Sequence, residues 1–306
     1  MTIDVQIITK DKEILLSDHD IYAKDFIVSS IALRPYLDSI EGRSGTVDYG
    51  ADYDTRTIKV PFYIKAHDLH DFALLRDELF SLVVSRESFY IRELRRAEYQ
   101  AYNFTEVTGE ASNNPRTDNK FVGGKRYKVR LTNALELEQM LTVGEGEMVF
   151  ETTELPFSES IGTTADIDKD GLRYSDELWS YGMGLSYDEE THKYTHNTNT
   201  FSIYNAGSVE VHPFEQDLKI TISEVLGATS YFELRNLTTK SIFRINEAVT
   251  SDKEIILDGP NITIDGLQAL RKTNKRFIEL APGWNNFVIM GATSAKVEFD
   301  FRYYYK

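Results

Sequence analysis

The sequence predicts an all-β protein with one α-helix, built as two β-sandwich domains. Apolar and polar residues alternate strictly in many short segments, most clearly where Val297, Phe299, Phe301 and Tyr303 alternate with charged residues; this period of two is typical of strands with one buried face. Only one segment has apolar residues at helical spacing. A length of 306 residues suits two domains of about 150 residues each.

Further strands are predicted at 58–64, 127–131 and 218–222, each with one apolar and one polar face. Pro61 lies inside the first of them. Proline has no N–H to donate to a sheet, so we expect this strand to lie at a sheet edge or to contain a bulge.

The predicted helix follows Asp68, a residue type that favours the N-cap position, and ends near Ser85 before the strand-like segment 89–94. A lone amphipathic helix among strands is expected to pack on one face of a sheet. Its apolar positions are Leu69, Phe72, Leu75, Leu79, Leu82 and Val83.

Two polar segments suggest the domain organisation. Residues 108–125 are rich in turn formers and lie between strand-like segments, which predicts a long hairpin tip that leaves the domain body. Alternation stops over 154–170, where Pro156, Gly162, serines and threonines gather, so we expect a linker there. The predicted domains are 1–153 and 171–306, and turn signals between short strands favour a β-sandwich for the second.

Composition excludes several classes of protein. The formal net charge is −15, spread along the chain, and an acidic surface repels nucleic-acid phosphates. The basic residues of 125–130 alternate with apolar ones, which favours the solvated face of a strand. The chain contains no cysteine, which excludes disulfides, zinc thiolates and cysteine nucleophiles. We expect no signal peptide and no membrane span.

Catalytic motifs are mostly missing. The sequence has neither the G-x-S-x-G elbow nor the phosphate loop, and Gly144 and Gly146 lack the third glycine of a dinucleotide fold. His192 and His196 have metal-ligand spacing but lack the glutamate of H-E-x-x-H, so surface histidines are favoured over a metal site. Trp179 and Trp284 could each stack on a sugar ring, although a buried core indole is the more common situation.

One motif resembles a calcium loop. The segment 166–177 fits the pattern D-x-[DN]-x-[DN]-G-x5-E, in which three carboxylates, a carbonyl and a bidentate glutamate surround one ion. Neither flank is helical in pattern, and Arg173 occupies a position that is normally apolar. A solvated acidic linker is therefore the favoured interpretation, with bound Ca²⁺ as the alternative. The candidate ligands are Asp166, Asp168, Asp170, the Leu172 carbonyl and Glu177.

Several stretches resemble the distal tail protein (Dit) family of siphophages that infect Gram-positive bacteria, in particular the staphylococcal type. None of these stretches is specific alone, but they occur in the expected order over nearly the whole chain. They are 41–45 (EGRSG), 76–80 (RDELF), 89–94 (FYIREL), 124–129 (GKRYKV), 179–185 (WSYGMGL), 204–207 (YNAG), 212–214 (HPF), 218–222 (LKITI), 257–260 (LDGP), 273–275 (TNK) and 299–302 (FDFR).

The resemblance implies a structural protein rather than an enzyme. It implies an N-terminal β-sandwich with one helix and a long hairpin, which forms a hexameric ring, and a galectin-like or carbohydrate-module-like C-terminal β-sandwich. The implied partners are the tail tube protein, the tail-associated (Tal) hub protein and receptor-binding proteins. DNA would pass through the channel without specific binding. The implied place is the virion tail tip, assembled in the host cytoplasm, without a membrane. The calcium-like loop is no part of this family pattern.

Two other functions remain open at this point. The chain could be a carbohydrate-binding adhesin of the tail tip or, with less support, a tail-associated hydrolase. A galectin-like fold alone does not establish sugar binding, because unrelated functions share one fold.

Overall fold

The computed structural model describes residues 3–96, 122–172, 178–180, 182–186 and 188–306. The chain divides into two compact units, which we call unit 1 and unit 2. Unit 1 ends at Ser158 and unit 2 begins at Glu159. This division falls inside the segment 154–170 that the sequence predicts as a linker. None of the described helices has the length and hydropathy needed to cross a membrane.

The described residues of unit 1 form mainly antiparallel strands, with one α-helix and a short 3-10 helix at Leu16–His19. Its elements are β1 (Ile3–Ile8), β2 (Glu13–Leu15), β3 (Ile21–Ala23), β4 (Ile27–Val28), β5 (Leu33–Asp38), β6 (Val47–Tyr53), β7 (Thr57–Lys65), α1 (Asp71–Val83), β8 (Phe89–Arg95), β9 (Lys125–Leu131), β10 (Glu138–Met140) and β11 (Val143–Thr152).

The main sheet of unit 1 has the strand order β2-β1-β8-β9-β11-β7-β3, and all the pairings in it are antiparallel. Alternation builds its buried face, since every second residue of β7 from Ile58 to Ile64 is fully buried. Strands β5 and β6 form a separate two-stranded sheet. The alternating sequence thus places one face of the main sheet against the core of unit 1. Strands β5 and β6 do not belong to this sheet.

Strand β7 corrects the expectation that Pro61 marks a sheet edge or a bulge. It lies inside the sheet and pairs in regular register with β11 on one side and with β3 and β4 on the other. The Pro61 carbonyl accepts a bond from Lys24 N at 2.8 Å, in the gap between the end of β3 and the start of β4. In an antiparallel strand the N and C=O of one residue face the same neighbouring strand. The Pro61 nitrogen therefore faces the gap between β3 and β4, where no partner needs an N–H donor, and proline is tolerated there.

Helix α1 forms where the sequence predicts it and buries Phe72, Leu75, Leu79 and Val83 in the core of unit 1. Its close approach to the sheet explains the glycine at 144. A Cβ on Gly144 would lie 2.7 Å from the Phe72 ring. This glycine therefore makes room for a core aromatic residue.

Unit 2 is also mainly antiparallel, with short 3-10 helices at Glu189–His192 and Leu270–Lys272. Strand β12 begins at the last residue of unit 1. The elements are β12 (Ser158–Ser160), α2 (Thr164–Asp170), β13 (Thr195–His196), β14 (Thr200–Asn205), β15 (Leu218–Leu226), β16 (Phe232–Asn236), β17 (Ile242–Ile245), β18 (Ile255–Asp258), β19 (Asn261–Ile264), β20 (Leu267–Gln268), β21 (Gly283–Met290), β22 (Ser294–Phe301) and β23 (Tyr304–Tyr305).

Two sheets pack face to face in unit 2. One has the order β13-β22-β15-β18-β19-β20 and the other β14-β21-β16-β17. Aromatic rings join them: Phe201 stacks on Phe287 with centroids 5.3 Å apart, and Phe299 of the opposite sheet lies 5.0 Å from Phe287. Burying each such ring contributes about 1.5–3 kcal/mol. The second unit is therefore a β-sandwich, as the turn spacing predicts.

The sequence predicts an all-β fold with one helix, but the described residues contain a second helix, α2. It occupies 164–170 of the predicted linker. Thr163 and Asp166 form a capping box at its start, and the helix buries Ile167. The Thr164 hydroxyl donates to the Phe299 carbonyl at 2.9 Å and accepts from Phe301 N at 3.0 Å. This end of the predicted linker is therefore a packed part of unit 2.

Candidate functional surfaces

Strands β5 and β6 form a hairpin, which we call the exposed hairpin (residues 33–53). Among the described residues of unit 1, it carries the largest group of exposed apolar side chains. Its base is tied to the chain by two backbone bonds of 2.8 Å, from Ala32 N to Thr55 O and from Asp54 N to Ala32 O. Arg34 pairs with Asp54, and the Tyr36 hydroxyl donates to Asp52 at 2.6 Å. The hairpin is thus held by local contacts, and all of β5 is exposed.

The hairpin contains a bulge that changes its register. Pro35 lies opposite Ala51, but Leu37 lies opposite Asp48, so β6 has one extra residue. Gly50 within this stretch has φ +99°, a backbone conformation that glycine adopts without strain, and its N–H donates to the Asp48 carboxylate at 2.8 Å.

Large apolar side chains remain open to solvent along the hairpin, with exposed fractions from 43% to 66%. Monomeric proteins seldom leave large apolar surfaces uncovered, and groups of exposed apolar side chains are found at protein interfaces. The exposed residues are Leu33, Tyr36, Leu37, Ile40, Tyr49 and Tyr53. Sequence reasoning did not single them out, because alternation marks a strand without saying what covers its faces.

The structure does not bring together those candidate calcium ligands that it describes. Asp166, Asp168 and Asp170 lie on or at the end of α2; successive members of the set are about 200° apart around a helix axis. Leu172 follows the helix, and Glu177 lies outside the described residues. In the described part of the chain, no group of three or more His, Asp or Glu side chains could hold a metal ion. Calcium binding stays an untested alternative to the linker that the sequence favours.

Two of these carboxylates have partners within unit 2. Asp166 accepts from Thr163 N at 2.7 Å as part of the capping box. Asp168 accepts from Tyr194 N at 3.0 Å and from the Thr195 hydroxyl at 2.7 Å. These contacts join α2 to the beginning of β13, so the aspartates have a structural use that requires no ion.

Three other polar residues singled out by the sequence have local partners, whereas His192 Nε2 is buried without a hydrogen-bond partner in the described part of the chain. Arg126 lies over the Tyr90 ring at 4.0 Å, and Lys128 pairs with Glu154 at 2.6 Å. The His196 ring stacks on Phe201, and its Nε2 lies 3.1 Å from the Lys193 carbonyl, as expected of a structural histidine. The predicted hairpin tip at 108–125 lies, up to residue 121, outside the described residues.

The comparisons with known proteins agree with this architecture. Residues 12–152 match the family model of the phage tail protein RIFT-related domain. No curated protein matches the chain. The crystal structure of the Dit protein of phage SPP1, described as a hub of the adsorption apparatus in phages that infect Gram-positive bacteria, is similar with a TM-score of 0.60 and 11% identity, over 98% of this chain and 99% of that one.

Two structures of the phage p2 baseplate in its activated conformation also match, one with Sr and one with Ca. Their TM-scores are 0.40 and 0.37, with 9% and 11% identity, and each match covers 99% of this chain and 98% of the other. The family match covers most of unit 1, and the SPP1 likeness extends over both units. Residues 12–152 are therefore similar to the phage tail protein RIFT-related domain, and the chain as a whole has a fold like that of the SPP1 Dit protein.

Proposed function

We propose that this chain is the structural distal tail protein of a long-tailed phage and acts as an adaptor rather than an enzyme. Six copies close a ring that joins the tail tube to the tail-associated hub and to the receptor-binding machinery. The ring leaves a channel through which DNA passes without specific binding. The proposal places the chain in the virion, at the tail tip.

The exposed hairpin is the observation that carries this proposal. Its apolar side chains lose contact with water if a neighbouring copy covers them, and burial yields about 25 cal/mol per Å² of apolar area. In the proposed ring the hairpin contacts a different part of the next copy, so the interface is heterologous, and a heterologous interface gives a closed ring when the rotation between copies closes. The net charge of −15 suits a DNA conduit, because weakly repulsive contacts let a polyanion move.

The test compares assembly of the wild type with that of the double variant Leu37→Ser/Tyr49→Ser. We expect mass photometry to show hexamers of the wild type, alone or with the tube or hub protein, and mainly monomers of the variant. Both side chains are exposed, so the melting temperature should change little.

The matched control is Leu74→Ser/Met140→Ser, which removes two exposed apolar side chains elsewhere in unit 1. This control should assemble as the wild type does. A wild-type chain that stays monomeric with every partner would contradict the proposed ring. A hairpin variant that assembles normally would contradict the role of the hairpin.

A further inference from the structure

The two tryptophans of the chain have opposite surroundings, and one of them is open to solvent. Trp179 is 2% exposed and packs in unit 2 at 6.0 Å from Tyr303. Trp284 is 43% exposed, on the outer face of β21. The Tyr204 ring lies 5.2 Å from it in an edge-on arrangement and restricts its movement. The Trp284 ring is thus held in place by Tyr204, and part of its surface is open to solvent instead of packing in the core.

Polar side chains flank Trp284 on the same outer face. Ser202 of β14 lies directly opposite Asn286 of β21, two residues from Trp284. The Ser202 hydroxyl donates to Asn286 Oδ1 at 2.8 Å, which fixes the orientation of the amide. Within the described residues, neither Asn286 Nδ2 nor the Thr200 hydroxyl makes a hydrogen bond. A donor and a hydroxyl are therefore available beside the ring.

Trp284, Ser202 and Thr200 border a groove of about 450 Å³ between β14 and the segment 190–198. Asn286 is not part of the lining and lies beside it, opposite Ser202. This volume is in the range of small-ligand sites, about 300–1,000 Å³. The groove is lined by Glu190, Lys193, His196, Thr198, Thr200, Phe201, Ser202 and Trp284.

The charges in the groove cancel. Lys193 pairs with Glu190. Burial lowers the pKa of His196, so the ring is neutral near pH 7. With Nε2–H directed to the Lys193 carbonyl, Nδ1 of the neutral ring is an acceptor. The groove therefore offers donors and acceptors without net charge.

We propose that this groove binds a neutral saccharide, with a pyranose ring stacked on Trp284 and its hydroxyls bonded to Asn286, Ser202 and Thr200. A pyranose has an apolar C–H face, whose slightly positive hydrogens suit the negative face of an indole, and a rim of hydroxyls. A phosphate or a cation would meet no net opposite charge. A lipid or an apolar peptide would leave the polar lining without partners, at a cost in free energy.

The proposal concerns unit 2 alone and does not rest on ring formation. The test uses the full chain and a panel of neutral oligosaccharides built from glucose, galactose, mannose, rhamnose and N-acetylglucosamine. Trp284 is a natural reporter, because acrylamide quenches an exposed indole far more than the buried Trp179. We expect at least one member of the panel to protect Trp284 from quenching. Heparin and glucose 6-phosphate, as charged probes, should not.

Variants then locate the site by calorimetry or saturation-transfer NMR. We expect Trp284→Ala to weaken binding about tenfold or more, Trp284→Phe to weaken it less, and Asn286→Ala to weaken it several-fold. The control is Met290→Ala, which changes an exposed residue of the same strand outside the groove. Circular dichroism checks that each variant is folded, and assembly by mass photometry should not change.

Three results would overturn the proposal. The first is that no saccharide of the panel protects Trp284. The second is that binding is as tight for Trp284→Ala as for the wild type. The third is a preference for the charged probes over every neutral saccharide. None of these results bears on the ring, which depends on the exposed hairpin in unit 1.

Discussion

At the scale of single residues, Asp168 shows how a motif residue can serve the fold. Its carboxylate holds Tyr194 N and the Thr195 hydroxyl, and so fixes where β13 begins. A bond to a charged group that stays partly solvated contributes about 1 kcal/mol. We expect Asp168→Ala to lower the melting temperature by a few degrees without any calcium, measured by scanning calorimetry against Asp170→Ala as the exposed control.

Calcium titration of the same variants tests the alternative. An ion at about 100 times its Kd would stabilise the folded state by roughly 2.7 kcal/mol. To bind it, Asp166 and Asp168 would have to release their present partners. We therefore expect no rise in melting temperature at millimolar Ca²⁺. A rise that a chelator reverses, and that Asp168→Ala abolishes, would instead establish the calcium loop.

At the scale of elements, helix α1 depends on the cap that precedes it. Asp68 Oδ1 accepts bonds from His70 N at 2.7 Å and Asp71 N at 2.8 Å, and these bonds lower the pKa of its carboxyl. Because the folded-state pKa is lowered, the cap stabilises fully above the ordinary pKa near 3.8 and loses this effect as the pH falls through the lowered value.

We expect Asp68→Ala to lower the melting temperature near neutral pH, with the difference from the wild type shrinking under strongly acidic conditions. Asp77→Ala, which removes an exposed carboxylate from the same helix, is the control and should have little effect. Melting curves recorded by circular dichroism over a pH series measure both variants. An equal loss at every pH would show that the charge of the cap is not what matters.

The elements also show which features the sequence can predict. The elements α1, β7 and β22 are long enough for the periodic spacing of their apolar residues to be recognised. Asp68 can be predicted as a cap because it directly precedes the helical pattern. Helix α2 has seven residues, about two turns, and its short run of aspartates obscured the capping box of Thr163 and Asp166. Pro61 was misplaced because strand order depends on distant pairing.

The candidate surfaces were predictable only in part. The alternation in the sequence indicates that a strand has two faces, but not whether a face is covered. The exposed hairpin was therefore missed, and Trp179 and Trp284 could not be told apart. Trp179 is buried because it packs beside Tyr303, which is distant in the sequence. Trp284 is exposed because the sheet register places it on the outer face of β21.

At the scale of the whole molecule, the position at which the second unit begins bears on which residues it needs in order to fold. The sequence predicts that the second domain begins at 171, whereas the compact unit begins at Glu159. The segment between these limits is hydrogen-bonded to residues 299–303. Ser160 N donates to the Tyr303 carbonyl at 2.8 Å, and Tyr303 N donates to the Ser160 hydroxyl at 3.0 Å. The Thr164 hydroxyl likewise donates to the Phe299 carbonyl and accepts from Phe301 N.

We therefore expect the fragment 159–306 to fold alone and to unfold in one cooperative transition. The fragment 171–306 loses the burial of Ile167, about 1.5–3 kcal/mol, and several hydrogen bonds of about 1 kcal/mol each. It should melt well below the longer fragment or fail to fold. Calorimetry on the two fragments measures the difference. Equal melting temperatures would show that 159–170 is a linker after all, and a longer fragment without a cooperative transition would show that unit 2 needs unit 1.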